Sequence, residues 1–504
     1  MRSLSRTPLL ILLAGIASAS MIAPAAVALA HEEFHDARSF FYAGIVGLVL
    51  TTLIGIAQAT RTHYRSAPRQ LLALLATFLL LPAMLAVPFH EAVRTTSFLN
   101  AYVEMVSSLT TTGATLFAPE RLSAAEHLWR AQVGWMGGLL IWVSSAALLA
   151  PLTLGGFEVT ASGEPGQSVD AGAARRDVTD PALRLAASAR VLAPIYVGLT
   201  VALWVMLLMA GDQPLVALSH AMSTLSTSGI SPIGGPQTAQ SGMAGEMIIF
   251  LFLFFALSRL TFSGDTKGLA GSNLSHDPEF RLGLLIVLVL PAALFLRHWI
   301  ASFDIGTETN LAAGLRSLWG GLFTALSFLS TTGFQSADWG AVRGWSGLQT
   351  PGVILLGLAI MGGGVATTAG GVKLLRIYAL YLAGVREMER LVHPHSLGRS
   401  GVMARRIRRQ GAFVAWVFFM LFAMTIAVFS LLFALSGLDF ENAMVTTVAA
   451  LTNCGPLIRA AAEQPIPLSE MGDAAKGLFV AAMVLGRLEV LGIIVLLTPD
   501  IWRD

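Results

Sequence analysis

Apolar residues run along this chain in blocks long enough to cross a bilayer, separated by short polar or basic stretches. A crossing helix takes about 20 residues. Blocks of that order lie at Leu9 to Ala30, Phe41 to Ala59, Leu71 to Phe89, Val133 to Leu154 and Val191 to Ala210, then at Met247 to Leu260, Leu282 to Leu296, Gly352 to Tyr381, Phe413 to Leu435 and Gly477 to Leu497. The pattern predicts an all-α membrane protein with about ten spans. Arg2 and Arg6 ahead of the first block, with small residues near Ala30, give it the outline of a secretory signal. Its length and the second span directly after it favour an uncleaved helix.

Composition supports the same class, since 55% of the residues are hydrophobic and only 12% are charged, about half the share in soluble proteins. The net charge of +2 says nothing about partners, but the placement of the cations does. With a cytoplasmic N-terminus, alternate loops collect Arg61, Arg65 and Arg69, then Arg175, Arg176, Arg184 and Arg190, then Arg259, Lys267 and Arg281, then the cluster from Arg376 to Arg409. That asymmetry marks the cytoplasmic side and predicts both termini inside. The single Cys454 excludes an internal disulfide.

Within the apolar frame one polar motif recurs: "SSLTTTGATLF" around Gly113, "STLSTSGISPI" around Gly229, "SFLSTTGFQSA" around Gly333 and "AALTNCGPLIR" around Gly455. The copies are roughly 100 to 120 residues apart, each between two long apolar blocks. Each follows a short amphipathic stretch (Phe98 to Leu109, Pro214 to Leu225, Leu315 to Leu329, Phe440 to Leu451) that is too short to cross. A single Thr-Thr-Gly reads as a helix cap or a turn. Four copies in register read as a repeated unit of span, half-helix, polar glycine loop and span.

Lipid cannot satisfy irregular backbone, so such loops survive at membrane depth only where protein or a water-filled path covers them. Four of them around one axis would turn carbonyls and hydroxyls inward and replace the hydration shell of a cation. The half-helix C-termini would add partial negative charge. This is the pattern of a selectivity filter made by one chain.

Two more features carry chemistry. The block from Gly352 to Tyr381 is about ten residues longer than a straight crossing needs, and "GGGVATTAGG" from Gly362 to Gly371 should break it. A broken helix lining a cavity and a glycine-mediated helix crossing both fit. Arg487 and Glu489 lie in the last block, where a charge is costly unless paired or wetted. Two residues apart on one helix, they do not face each other. Arg487 is therefore a functional candidate, with an interhelical ion pair as the alternative. Glu104, in the first half-helix, supplies either negative potential at the outer mouth or, by preference, a bond to the loop backbone. Lys373 and Arg376 are expected to anchor at the headgroups, with transmission of a partner's motion as the alternative. The histidines show no metal-ligand spacing, and no phosphate-cradling loop is present, so neither a metal site beyond the filter, nor nucleotide hydrolysis by this chain, nor nucleic-acid binding is expected. No catalytic Ser/His pair, facing Asp pair or HExxH motif lies in the spans, which leaves an intramembrane enzyme as a remote alternative.

At this point the chain resembles a known superfamily, the K⁺ transporters that include the bacterial TrkH, TrkG and KtrB proteins and the plant and fungal HKT and Trk proteins. The likeness rests on "SLTTTGAT" with "WRAQVGWMGG", "DPEFR", "GGGVATTAGGVKLLRI", "LTNCGP" and "LGRLEVLGIIVLLTPDIWR", and spans almost the whole chain. Two extra spans ahead of the first repeat favour the TrkH/TrkG branch over KtrB.

The resemblance implies two N-terminal helices in 1–66, pore repeats at 67–160, 185–265, 278–385 and 411–504, and a basic cytoplasmic linker at 386–410. It places the ion-lining filter on Thr111, Thr112 and Gly113, on Thr227, Ser228 and Gly229, on Thr331, Thr332 and Gly333, and on Asn453, Cys454 and Gly455. It assigns gating to the intramembrane loop 362–371, with Gly362, Gly363, Gly364, Thr367, Thr368, Gly370 and Gly371, and to Arg487. It implies uptake of K⁺, the only metal ion involved and a transported one, through a homodimer in the lipid of the bacterial inner membrane. No organic cofactor is implied, and a cytosolic TrkA-type ring that binds NAD or ATP would regulate the flux. A Na⁺-preferring or Na⁺/H⁺-coupled relative is the alternative; the glycine at 113, where Ser goes with Na⁺ preference in the HKT branch, favours K⁺. Asn453 and Cys454 depart from the hydroxyl pair of the other loops.

Overall fold

The computed structural model describes residues 9–58, 67–150, 154–159, 181–258, 277–305, 311–340, 342, 352–393, 409–462, 464–489 and 492. Every regular element among them is helical. Helices α1 (Leu9–Ser20) and α2 (Ile22–Ala30) pack on α3 (Phe34–Gln58) to form an N-terminal hairpin, which leans on α4 (Ala67–Val93) and α6 (Ala124–Ser144).

The rest repeats one plan. A span (α4), a half-helix (α5, Phe98–Leu109) and a second span (α6) are followed by α7 (Pro181–Met209), α8 (Pro214–Ser226) and α9 (Gly242–Leu253). The third unit is α10 (Pro278–Ile305), α11 (Leu311–Leu329) and α12 (Gly352–Met361), continued after a break by α13 (Leu374–Val392). The fourth is α14 (Arg409–Leu435), α15 (Phe440–Leu451), the short α16 (Leu457–Ala460) and α17 (Asp473–Leu488). In every unit the half-helix packs against both of its spans. In addition α6 touches α8, α9 touches α11, α12 touches α15, and α17 returns to α5. The second span of each unit thus seats the half-helix of the next, and the fourth closes on the first.

Local chemistry fixes where the half-helices start. Ser97 Oγ accepts from Asn100 N–H ahead of α5, and Pro214 takes the first place of α8, where a missing N–H costs nothing. Among the described residues seven helical stretches are long and apolar enough to cross a membrane, so this is a multi-pass membrane protein. Only 11% of the most apolar window of Phe34–Gln58 is buried within the protein, against 78% for Ala124–Leu149. The former therefore shows its apolar side chains to lipid, while the latter is an interior helix.

Two expected spans differ and a third breaks where expected. The helix at Gly242–Leu257 is short and tightens into a 3₁₀ turn over Phe254–Leu257. The block from Gly352 to Tyr381 stops at Met361 and resumes at Leu374, as its glycines predict. The last block does not run through to Leu497 as one helix: α17 ends at Leu488, and Glu489 turns to φ 61° to reach an ion-pair partner. Residues 490, 491 and 493–504 lie outside the described residues, as do 394–408 of the basic linker and Arg175, Arg176, Arg259 and Lys267.

Between helices in lipid the hydrophobic effect supplies no drive, and close approach at small residues takes its place. Gly137 on α6 lies against the carbonyl of Leu109, the last residue of α5; Gly486 on α17 lies in the same way against Leu451 at the end of α15. A methyl group at either would push the half-helix off its seat. Gly137→Ala is expected to cost about 1–3 kcal/mol by overpacking, read as a lower melting temperature in detergent. Gly198→Ala on α7, where no atom lies within 4 Å, should be neutral or slightly stabilising. Equal losses from both would contradict close packing as the cause.

Candidate functional site

Each half-helix ends in the same turn. In the first unit Thr112 N–H donates to the Ser107 carbonyl at 2.8 Å and Thr111 N–H to the Ser108 carbonyl at 2.9 Å. This is a Schellman ending, which satisfies carbonyls that a helix otherwise leaves open. The pair recurs as Ser228 to Ser223 (3.0 Å) with Thr227 to Thr224 (3.3 Å), and as Thr332 to Ser327 (2.9 Å) with Thr331 to Phe328 (3.1 Å). In the fourth unit it is Cys454 to Ala449 (2.9 Å) with Asn453 to Ala450 (3.2 Å).

Such an ending places its turn residue in the left-handed region, and Thr111, Thr227, Thr331 and Asn453 have φ of 55°, 51°, 58° and 52°. Glycine or Asn is usual there; a β-branched residue stores about 1–3 kcal/mol. Asn453, the departure from the hydroxyl pattern, is thus the least strained of the four. Three threonines are held in a conformation they disfavour, and strain of this kind gathers at functional sites.

The hydroxyls and the carbonyls have different roles. Thr112 Oγ1 is 2.8 Å from Thr110 Oγ1, Ser226 Oγ donates to Ser228 Oγ at 3.0 Å, and Thr332 Oγ1 is 2.9 Å from Ser330 Oγ. The hydroxyls of Ser228 and Thr332 are therefore held inside their own loops, whereas Thr112 Oγ1 also accepts from Asn453 Nδ2 of the fourth unit at 3.0 Å. The carbonyls reach across. Gly113 lies against the Ser228 carbonyl, Gly229 against that of Thr332, and Gly455 N–H donates to the Thr112 carbonyl at 2.6 Å; Gly333 meets Pro456. Each glycine faces the next unit and the last faces the first, so the four loops form a closed ring. A β-carbon at any of these glycines would drive into its neighbour. Gly113, Gly229 and Gly333 also have φ of 71°, 66° and 81°, whereas Gly455 does not share the positive φ and is required for space alone.

Buried polar side chains brace the ring from behind. Glu104, with 0% exposure, accepts from Leu116 N–H at 2.9 Å and pairs with Arg130 Nε at 2.6 Å. It bonds the loop backbone, in line with the preferred of its two sequence readings. His220 holds Ser231 Oγ at 2.8 Å at the corresponding place of the second unit. Glu246 of α9 accepts from Ala337 N–H, Ser336 Oγ and Trp319 Nε1 at 2.6, 2.7 and 3.0 Å, locking the third loop to the second unit. Sequence reading missed Arg130 and Glu246. The signal was there, as each is an ionisable residue near the start of an apolar second span.

The broken segment of the third unit lies directly against the ring. Gly370 N–H donates to Thr331 Oγ1 at 2.7 Å, Thr227 Oγ1 to Thr368 Oγ1 at 3.1 Å, and Thr368 Oγ1 to the Leu225 carbonyl at 3.1 Å. Gly370 also sits on the Thr452 carbonyl. Three units thus touch one loop. The loop turns at Gly362, Ala366, Gly371 and Lys373 (φ 72°, 58°, 76° and 84°), and Gly363 and Gly364 pack against the Ala256 and Leu257 carbonyls. Thr367 Oγ1 closes back on the Gly364 carbonyl at 2.7 Å.

Cavities mark the two sides of this arrangement. One of about 60 Å³ is lined by Gly113, Gly229, Gly333 and Gly455, large enough for several waters. On the loop side, cavities of about 10 and 20 Å³ border Thr367 and Thr368, and Gly370 and Arg487, with room for a single water each.

Charge lies under the loop. Arg487 Nη1 donates to the Thr368 carbonyl at 2.8 Å, while its buried Nε and Nη2 make no protein hydrogen bond. Among the described residues no carboxylate is in ion-pair range of Arg487, and the nearby Glu489 carboxylate instead takes Arg376 Nη2 at 2.6 Å. Arg376, at 0% exposure, also stacks 3.7 Å over the Phe418 ring. Lys373 is buried and donates to the Ala369 carbonyl. The expectation that Lys373 and Arg376 anchor at the headgroups is therefore overturned: a carboxylate, an aromatic face and a loop carbonyl hold them inside the protein.

A family model described as TrkH, cation transport protein, matches residues 282–503. The Trk system potassium uptake protein TrkH of Salmonella typhimurium is 30% identical over 493 residues, covering 97% of this chain and 96% of that one. The chain belongs to the TrkH family. Its namesake from Vibrio parahaemolyticus is 29% identical over 506 residues, with 98% of each covered. The potassium uptake protein TrkG of Escherichia coli K12 is 29% identical over 500 residues, with 97% of this chain and 96% of that one covered. The crystal structure of the potassium transporter TrkH from Vibrio parahaemolyticus superposes with a TM-score of 0.80 at 27% identity, covering 100% of both chains. These family members are ion transporters, not enzymes.

The brace behind the first loop is testable by a double-mutant cycle. Glu104→Gln leaves Arg130 buried without its counter-charge and should cost about 3–5 kcal/mol. Adding Arg130→Met should recover part of the loss in detergent melts, with a coupling of at least about 1 kcal/mol. Additive losses would contradict the pair.

Proposed function

We propose that this chain takes up K⁺ across a bacterial inner membrane through the ring of four loops, which acts as a selectivity filter, gated by the loop 362–371 and Arg487. The observation that carries this reading is the fourfold recurrence of the strained Schellman ending in a closed ring, with a glycine-rich segment hydrogen-bonded to two of its units and packed against a third.

A cation entering the ring exchanges water for backbone carbonyls of Thr112, Ser228, Thr332 and their neighbours. Four half-helices end there, so the partial negative charge of each C-terminus stabilises the dehydrated ion. Below, the loop obstructs the way and Arg487 repels a descending cation in surroundings where charge is poorly screened. The loop is held to the ring and to Arg487 by a few hydrogen bonds, each worth about 0.5–1.5 kcal/mol. Moving it is thus within reach of a bound regulator, since about 5.5 kcal/mol carries a two-state equilibrium from 1:99 to 99:1.

The route for such regulation begins at α13, which starts right after the loop and leads toward the basic linker 386–410. Arg376 on α13 grips Glu489, two residues from Arg487. Displacement of α13 by a cytosolic TrkA-type nucleotide-binding ring would therefore move the loop and Arg487 together. In this reading the chain works as a homodimer with both termini in the cytoplasm.

Uptake of Rb⁺ and Na⁺ in cells lacking K⁺ transport tests the filter. The native chain should prefer Rb⁺, and Gly113→Ser should narrow that preference about tenfold, a change of about 1.4 kcal/mol in discrimination. Unchanged preference in the variant would contradict the K⁺ filter. Deleting 362–371 should raise flux severalfold or free it from control; normally regulated flux would leave the segment with packing alone.

A further inference from the structure

The cavity on the glycine side of the ring has an unexpected wall. Beside the four filter glycines it is lined by two guanidinium groups, Arg130 and Arg459, and by no carboxylate. A cation pore gains from negative charge at its mouth, so two cations there need a reason. Arg130 has one, because Glu104 pairs with it at 2.6 Å behind the first loop. Arg459 has no such partner within bonding range among the described residues. It stands on α16, four residues beyond Gly455, is exposed, and feels Arg130, Glu104 and Glu120 as its nearest charges. Burial of part of the side chain, followed by Arg130, lowers its pKa, yet a guanidinium remains charged at any physiological pH.

We infer that Arg459 is a specificity-determining residue of the outer mouth, a fixed positive charge that screens entering ions by valence. Repulsion from one charge doubles between a monovalent and a divalent cation at the same place. A single guanidinium beside the filter therefore weakens entry of K⁺ modestly and that of Ca²⁺, Mg²⁺ or Ba²⁺ by the square of the same factor. In a narrow filter a divalent ion that enters and stays is a blocker, so the chain trades some affinity for K⁺ against protection from block. The wall is built for this, since Gly234, Ile458, Ile466 and Leu468 complete it with neutral groups, Glu104 is engaged by Arg130, and Glu120 does not line the cavity, so no carboxylate stands between Arg459 and an entering ion.

This inference rests on the proposed pore, and the experiment separates the two. Rb⁺ uptake is measured for the native chain, Arg459→Gln and Arg459→Lys, over a range of Rb⁺ and with added Ba²⁺. Arg459→Gln should lower KM for Rb⁺ about threefold and lower the Ba²⁺ concentration for half-inhibition about ninefold, with Arg459→Lys close to native. The difference should shrink as ionic strength rises, which a packing role would not produce. Equal sensitivity of the three chains to Ba²⁺, or a change confined to Vmax, would overturn the role of Arg459 while leaving the pore intact. Absence of Rb⁺ uptake by the native chain would instead overturn the pore and this inference with it.

Discussion

Backbone polar groups at membrane depth must be satisfied within the protein, and the rest of the structure depends on how that is done at four places. A half-helix that stops inside the bilayer leaves open carbonyls. Here each one closes by a Schellman turn at Thr111, Thr227, Thr331 or Asn453, and the chain beyond the turn is covered by the next unit. None of the four loops is complete alone. The ring, the seating of each half-helix on the preceding unit's span, and the small residues at those seats follow from that single requirement. So does the absence of side chains at the four glycines, where neighbouring loops approach too closely for a β-carbon.

Much of this was legible in the chain. The recurring Thr/Ser-Gly motif after a short amphipathic stretch gave the four half-helices nearly to the residue; α11 alone extends further, beginning at Leu311. The break at Gly362 to Gly371 followed from excess length and five glycines. What escaped was pairing between residues far apart in sequence. Nothing local shows that Glu104 is matched by Arg130, that Glu246 reaches the third loop, or that Arg376 reaches Glu489 across 113 positions. Lys373 and Arg376 look like interfacial anchors because a basic residue at the end of an apolar block usually is one. A loop inside the membrane shifts that end inward, and the cations become internal. Asn453 was visible as an exception, but its reason, a left-handed turn, appears only with the backbone.

The charges divide by position. Behind the ring the carboxylates are satisfied, Glu104 by Arg130 and Glu246 by neutral donors, and serve to hold it. Under the loop the match is offset: Glu489 binds Arg376 and leaves Arg487 bonded only to a loop carbonyl. A buried cation without a direct ion-pair partner is costly, and its persistence beside a displaceable segment fits a barrier that is released when the segment moves. Strain in the turn threonines and the unmatched arginine are thus two costs located at either end of the same short path.

The central claim is that the four loops hold one cation between them. Anomalous X-ray scattering from crystals grown in Rb⁺ tests it most directly. The account predicts Rb⁺ peaks on the axis of the ring, among the carbonyls of residues 112, 228, 332 and 454, and their weakening when Na⁺ replaces Rb⁺. Well-ordered loops with no Rb⁺ between them, and ions bound only elsewhere on the protein, would contradict it.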